Sequence, residues 1–223
     1  MKTRALIFDF DGLILDTESP EFDVWQSIYR EHGQELDAAT WGQIVGGWGA
    51  SQFDAARHLA ELVGNGLNVD IVRARHRSES DARTLAQPIL PGVLDYLDEA
   101  RCLGLRLSIA SSSTREWVVD THLSRLGLAD RFDAIITADD VPPGRTKPKP
   151  DLFLKALAAV GVQPDEAIVF EDSPNGVQAA RAAGIFVVAV PNPVTALLDV
   201  NGANLKLNSL TDVSLTDLLA KAA

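Results

Sequence analysis

The first apolar run of the chain stops at two acids, and that stop constrains everything after it. Ala5-Leu6-Ile7-Phe8 follows a basic start and ends at Asp9-Phe10-Asp11-Gly12. Four apolar residues bounded in this way read as a short buried strand. Side chains alternate along an extended chain, so Asp9 and Asp11 can leave on the same face, two residues apart. Gly12 then lets the backbone turn away. Carboxylates at the carboxyl end of a buried strand occupy the place where open α/β sheets put their ligands.

Such a pair is costly to keep. At ~4 Å and an effective dielectric near 20, two unit charges oppose each other by roughly 4 kcal/mol. A cation between them, or a proton on one, relieves the strain. A solvated turn with two surface acids has the same local pattern, so the rest of the chain must decide.

Composition narrows the field. With 223 residues, 46% of them hydrophobic, the chain can hold one sizeable core, or a core carrying a smaller domain. No apolar run approaches the roughly 18 residues of a membrane span, and Asp9 interrupts the N-terminal run too early for a signal peptide. The single cysteine, Cys102, rules out an internal disulfide and fits a reducing cytoplasm. It lies in a helical pattern and reads as core filler rather than nucleophile. A net charge of −11 argues against a nucleic-acid surface. The expectation is a cytoplasmic monomer with neither nucleic-acid nor membrane partners, in which an anionic substrate would need a strongly local positive site.

After Asp16-Thr17 the pattern becomes helical. Phe22, Trp25, Ile28 and Tyr29 recur at helical spacing, as do Phe53, Ala56, Leu59, Ala60 and Val63, with Ser51 as N-cap. A third helix over about 69–85 carries Arg73, Arg75, His76, Arg77 and Arg83. Glycines at 33, 46, 47, 49, 64 and 66 separate the helices. Residues 18–83 thus read as a small α-helical cap inserted directly after the aspartate pair.

From Pro91-Gly92 helix and strand alternate, the signature of a parallel sheet with crossover helices. Strands are expected at 105–110, 134–136, 167–170 and 185–190, with a short one near Leu205–Leu207, and helices at 92–103, 115–126, 151–160 and 174–183 and at the C-terminus. Ser173-Pro174 is an N-cap followed by proline at the first helical position. The fold class expected is a doubly wound parallel α/β core built from 1–17 and 84–223. In such a sheet Asp9 and Asp11, Ser111, and Glu171-Asp172, each at a strand end, converge on one crevice, with Lys147 in a proline-rich turn nearby. Hard oxygen ligands, a hydroxyl and one lysine describe a magnesium-phosphate site.

This set resembles the haloacid dehalogenase superfamily, and within it the beta-phosphoglucomutase-like phosphatases that carry a helical cap. The resemblance rests on Asp9-Phe10-Asp11-Gly12, Ser111, Lys147 with Pro148-x-Pro150-Asp151, and Glu171-Asp172, in order over nearly the whole chain, and on Asp16-Thr17-Glu18. It implies an Mg²⁺-dependent phosphatase with Asp9 as nucleophile and Asp11 as general acid and base. It further implies Mg²⁺ held by the Asp9 carboxylate, the Asp11 backbone carbonyl and Asp172, with Glu171 either a ligand through water or an orienting group. Ser111 and the Ser112 amide would bind phosphoryl oxygens, and Lys147 would neutralise the phosphoryl group together with Asp9. Asp11 and Asp172 favour phosphoryl transfer over carbon–halogen cleavage.

Specificity would come from the cap, where Trp48 in the Gly46-Gly47-Trp48-Gly49 loop and Arg75 and Arg77 are the candidates. His32, His58, His76 and His122 show no metal-ligand spacing and no evident partner. The mutases of that branch carry a histidine shortly after their Asp-Thr pair and an arginine in the cap loop. Here those stretches read Glu18-Ser19-Pro20-Glu21 and Gly47-Trp48-Gly49-Ala50-Ser51. The substrate expected is a small phosphorylated metabolite, a sugar phosphate; a phosphosugar mutase and a non-catalytic phosphometabolite binder are the alternatives.

Overall fold

The computed structural model describes residues 3–41, 53–64 and 66–222. Six parallel strands form one sheet: β1 (Ala5–Phe8), β2 (Arg106–Ala110), β3 (Ala134–Ile136), β4 (Ala167–Glu171), β5 (Phe186–Ala189) and β6 (Leu205–Lys206). Their order is β3-β2-β1-β4-β5-β6. The chain builds outward from β1 to one side, then returns to build on the other. The doubly wound core expected from the sequence is therefore present, with its switch point at β1.

Alternation along β1 explains why the run is apolar throughout. Leu6 and Phe8 pack into a cluster with Leu107, Ile109, Ile168 and Phe170 on one face. Ala5 and Ile7 pack with Val169, Val187 and Ala189 on the other. A strand buried on both faces shows no polar period. Helix α5 (Val93–Cys102) and the C-terminal α9 (Leu215–Lys221) supply residues to the first cluster, and α7 (Asp151–Val160) and α8 (Pro174–Ala182) to the second. Ser173 caps α8 as expected, its hydroxyl accepting from the Gly176 N–H at 3.2 Å. The helix after β2 is wound wide: Glu116–Leu123 is a π-helix that tightens into α6 (Ser124–Leu126).

Among the described residues between β1 and α5 lie four helices: α1 (Glu18–Glu31), α2 (Ala38–Trp41), α3 (Ala55–Val63) and α4 (Val69–Leu85). They enclose an apolar cluster of their own, with Trp25, Ile28, Tyr29, Leu59 and Val72, to which Val194 adds from beyond β5. Two segments form a narrow neck to the sheet. Leu15 bridges Ile89 in antiparallel fashion, and the Leu90 N–H donates to the Ile14 carbonyl at 2.9 Å.

Three sequence expectations need correction. The N-cap of α3 is Asp54, whose side chain accepts from the Arg57 N–H, rather than Ser51, which lies outside the described residues. Cys102 is exposed at the end of α5 rather than core filler, because it falls off the face that carries Val93, Leu97 and Ala100. Three of the four histidines have partners after all. His58 Nδ1 pairs with the Tyr29 hydroxyl at 2.9 Å. His76 stacks on Trp25 at 4.1 Å, with Nε2 at 3.1 Å from the Glu21 carbonyl. His122 is buried against Phe10. Such contacts join residues far apart in sequence, and spacing does not reveal them.

Candidate active site

Strand register brings the acids level. Phe8 sits opposite Ile109 of β2 and Phe170 of β4, so Asp9 emerges beside Ala110 and Glu171 at the carboxyl end of the sheet. The Asp9 N–H still donates to the Phe170 carbonyl at 2.9 Å, which fixes the height of its carboxylate. Acidic oxygens of Asp9, Glu171 and Asp172 all lie within 4.8 Å of one another, and all three residues are buried.

Lys147 enters this group from the proline-rich turn before α7. The residue is 3% exposed, and its ammonium forms an ion pair with Asp9 and reaches Glu171 Oε1 at 2.6 Å. The other Glu171 oxygen accepts from the Ser173 N–H at 2.9 Å and the Ser173 hydroxyl at 3.0 Å. Asp172 Oδ2 accepts from Asn192 Nδ2 at 2.8 Å. Two glycines make room. A Cβ at Gly12, which has φ +78°, would overlap the Asp172 carboxylate and come within 2.6 Å of Asn192 Nδ2. A Cβ at Gly176 would overlap Glu171.

Asp11 takes a separate set of donors. Its Oδ2 accepts from the Ser113 hydroxyl at 2.7 Å and the Ser111 hydroxyl at 3.2 Å. Its Oδ1 accepts from the Trp117 indole N–H at 2.8 Å. Ser111 Oγ also accepts from the Ser113 N–H at 3.0 Å, and Ser112 Oγ is buried without a hydrogen-bond partner among the described residues.

The electrostatics are lopsided. Burial, with Glu171 and Asp11 adding to it, pushes the Asp9 carboxyl up to about 8 against the opposing pull of Lys147. Asp172 is likewise held well above its usual range by burial and by Glu171 and Asp9. Burial works against the charge on Lys147, yet the Asp9 and Glu171 carboxylates outweigh it and keep the lysine protonated. Fully ionised, the three carboxyls facing one ammonium would carry two excess negative charges, which one divalent cation would balance. Hard oxygen donors at this separation fit such an ion.

Further acids overlook the site from α1. Burial and the neighbouring Glu21, Asp11 and Asp9 raise Glu18 well above its usual range. Glu21 is raised to about 7 by burial and by Asp11 and Asp81.

The structure thus brings Asp9, Asp11, Ser111, Lys147, Glu171 and Asp172 together, with Ser112 alongside. It does not bring Arg75 there. Its guanidinium bridges Glu31 at 2.5 Å and Glu79 at 2.7 Å, and Glu31 lies at the other end of α1 from Glu18. At 1.5 Å per residue that is about 20 Å away. Arg77 is exposed on α4, and Trp48 lies outside the described residues. Trp117, Ser113 and Asn192 join the site without having been expected. A serine run with a tryptophan four residues after its third member reads as an ordinary helix start, and Asn192 sits in what reads as a loop.

A family model for haloacid dehalogenase-like hydrolases matches residues 6–190. The chain belongs to that family. The haloacid dehalogenase-like assignment agrees with full-length relatives. The Bacillus subtilis (strain 168) protein YhcW, provisionally named a phosphatase, is 43% identical over 216 residues, covering 97% of this chain and 96% of that one. The fructose-1-phosphate phosphatase YqaB of Escherichia coli K12 is 34% identical over 83% of this chain and 95% of its own. Among solved structures, a Thermotoga maritima protein provisionally named a beta-phosphoglucomutase superposes with a TM-score of 0.76 at 25% identity, covering 99% of this chain and all of that one. This haloacid dehalogenase-like chain is an enzyme of the phosphoric monoester hydrolase class. No helix among its described residues is long and apolar enough to cross a membrane.

Proposed function

We propose that the chain is an Mg²⁺-dependent phosphatase for a small phosphorylated metabolite, a sugar phosphate, acting through an aspartyl-phosphate on Asp9. The observation that carries this reading is the buried Asp9 carboxylate, paired with Lys147 and within 4.8 Å of the Glu171 and Asp172 acids. Relatives named as phosphatases of fructose 1-phosphate, of phosphorylated carbohydrates and of hexitols support the substrate class.

In this reading an Asp9 oxygen attacks phosphorus, and Lys147 balances negative charge on both the nucleophile and the phosphoryl oxygens. Asp11 gives its proton to the departing oxygen. It then takes a proton from the water that cleaves the aspartyl-phosphate. Ser111 and the neighbouring Ser112 Oγ hold phosphoryl oxygens. Asp9, Asp172 and the Asp11 carbonyl would hold Mg²⁺. Glu171, with both oxygens taken by Lys147 and Ser173, serves as an orienting group rather than a direct ligand. When bound, the cation shields the carboxylate nucleophile from the phosphate dianion.

Residues 18–83 act as a cap over this site and define the leaving group. Similarity to a structure named as a beta-phosphoglucomutase keeps a mutase in view. The acids on α1 argue against it. A mutase must hold a second phosphate beyond Asp11, and here Glu18 and Glu21 are acids close enough to Asp11 to be raised by its charge, which disfavours a further anion nearby. Losing one charged phosphate contact costs roughly 1.5–3 kcal/mol before any repulsion is counted. The test is a panel of phosphorylated metabolites assayed for phosphate release with and without Mg²⁺. Beta-glucose 1-phosphate with its bisphosphate is followed in parallel. Mg²⁺-dependent phosphate release from sugar phosphates is the expected result. Conversion to glucose 6-phosphate with little free phosphate would establish the mutase instead.

A further inference from the structure

We propose that Trp117 is a positioning residue that determines which oxygen of Asp11 carries the proton delivered to the leaving group; this rests on Asp11 being the acid, as proposed above.

An indole N–H can only donate. At 2.8 Å from Asp11 Oδ1 it favours the carbonyl-type oxygen there, because a hydroxyl oxygen is the weaker acceptor. The carboxylic proton is accordingly favoured on Oδ2. That oxygen faces the hydroxyls of Ser113, at 2.7 Å, and Ser111, at 3.2 Å. A hydroxyl can rotate from donor to acceptor, so these two accommodate a proton that the indole disfavours. Ser111 stands at the end of β2, where the phosphoryl oxygens are placed in the reading above. Oδ2 is thus the oxygen on the reacting side.

The indole is itself held. π-Winding of 116–123 aligns residues five apart, and Trp117 meets His122 edge to face, with centroids 4.4 Å apart and planes at 75°. His122 is fully buried and packs in turn on Phe10, the residue between the two aspartates, at 5.9 Å. The Trp117 backbone N–H donates to the Thr114 hydroxyl at 3.3 Å, which fixes the start of that helix. Phe10, His122 and Trp117 therefore form a closed brace that begins and ends at the catalytic turn.

The step balances as follows. When the ester P–O bond breaks, its electron pair stays on the leaving oxygen, which takes the proton from Asp11 Oδ2. In the second half, water attacks phosphorus, the bond from Asp9 breaks, and the proton lost by water returns to the same Oδ2.

The experiment compares phenyl phosphate, whose leaving group needs a proton, with 2,4-dinitrophenyl phosphate, whose leaving group does not, using the Mg²⁺-loaded full chain. Trp117→Phe removes the N–H. Replacement of Trp117 by 3-benzothienylalanine removes it while preserving shape, and decides the matter where the phenylalanine variant folds poorly. Asp11→Asn is measured alongside. Release of the leaving group is read in the pre-steady-state burst, before the hydrolysis step that both esters share. Loss of one hydrogen bond to a charged group should slow that burst about ten- to hundredfold with phenyl phosphate and leave it within about twofold with the dinitrophenyl ester. Equal losses on both esters, or none on phenyl phosphate, would overturn the assignment of Trp117. If Asp11→Asn itself fails to separate the two esters, the acid role of Asp11 is what has failed, and the Trp117 proposal falls with it.

Discussion

Gly176 lies so close beneath the Glu171 carboxylate that a Cβ would occupy the same space. The first turn of α8 thus closes on a charged side chain that holds Lys147, and only hydrogen fits between them. Gly176→Ala should push Glu171 off Lys147 and Ser173. Overpacking of this kind costs about 1–3 kcal/mol, readable as a lower urea midpoint at unchanged m-value. Turnover should fall with it, and a variant as active and as stable as wild type would show that α8 can shift freely.

Lys147→Met tests the charge balance. It keeps the length of the stem but leaves Asp9 and Glu171 without their ammonium. Breaking a buried pair in this way costs about 3–5 kcal/mol, and the cost should shrink as pH is lowered and the carboxyls take up protons. Chemical denaturation at pH 5 and pH 8 would show the two values converge or stay apart.

A cation that fills the charge deficit must also stabilise the fold. At Mg²⁺ a hundredfold above its dissociation constant, linkage predicts about 2.7 kcal/mol of added stability. Asp172→Asn should lose most of that gain, seen as a thermal shift, while Arg75→Ala should keep it. A shift of equal size in the Asp172 variant would place the ion elsewhere.

Glu21 supplies a pH dependence with a definite sign. In the folded protein its carboxyl is raised from 4.5 to about 7, chiefly by burial. Between those two values the folded state holds a proton that the unfolded chain has lost. Stability contributed by this group is therefore whole below about 4.5, declines as pH rises toward 7, and is absent above. The change amounts to about 1–2 kcal/mol for a partly exposed group. Glu21→Gln should flatten that slope in denaturation curves taken from pH 5 to 8.

Arg75 tests the opposite expectation, that a prominent basic residue does nothing for the reaction. Its bridges to Glu31 and Glu79 are exposed and worth about 0.2–1 kcal/mol each. Arg75→Ala should leave kcat/KM for sugar phosphates within about twofold. A tenfold rise in KM would return it to the substrate pocket.

What the sequence reveals here follows the range of the interactions. The strands were legible because each is a short apolar run, and Asp9, Ser111, Glu171 and Asp172 were legible because each ends one. Their convergence then follows from parallel register alone. Trp117 was not, because its approach to Asp11 depends on π-winding, which no residue pattern announces. Asn192 reaches Asp172 only because β5 happens to lie beside β4. Arg75 looked available for the same reason that His58 and His76 looked unpartnered: their contacts lie across α1, α3 and α4, tens of residues away.

The neck at Leu15 and Ile89 has an engineering consequence. Its two strands leave the core as hydrogen-bonded neighbours, so the sheet experiences everything between them as a loop of nearly zero span. Loop-closure entropy grows only as the logarithm of length, and doubling the intervening chain costs about 0.6 kcal/mol. A chimera in which the chain between Leu15 and Ile89 gives way to a shorter or longer insert should keep the register of β1 with β2 and β4. Under the proposed function, recognition and chemistry could then be bred separately, each on its own side of that junction.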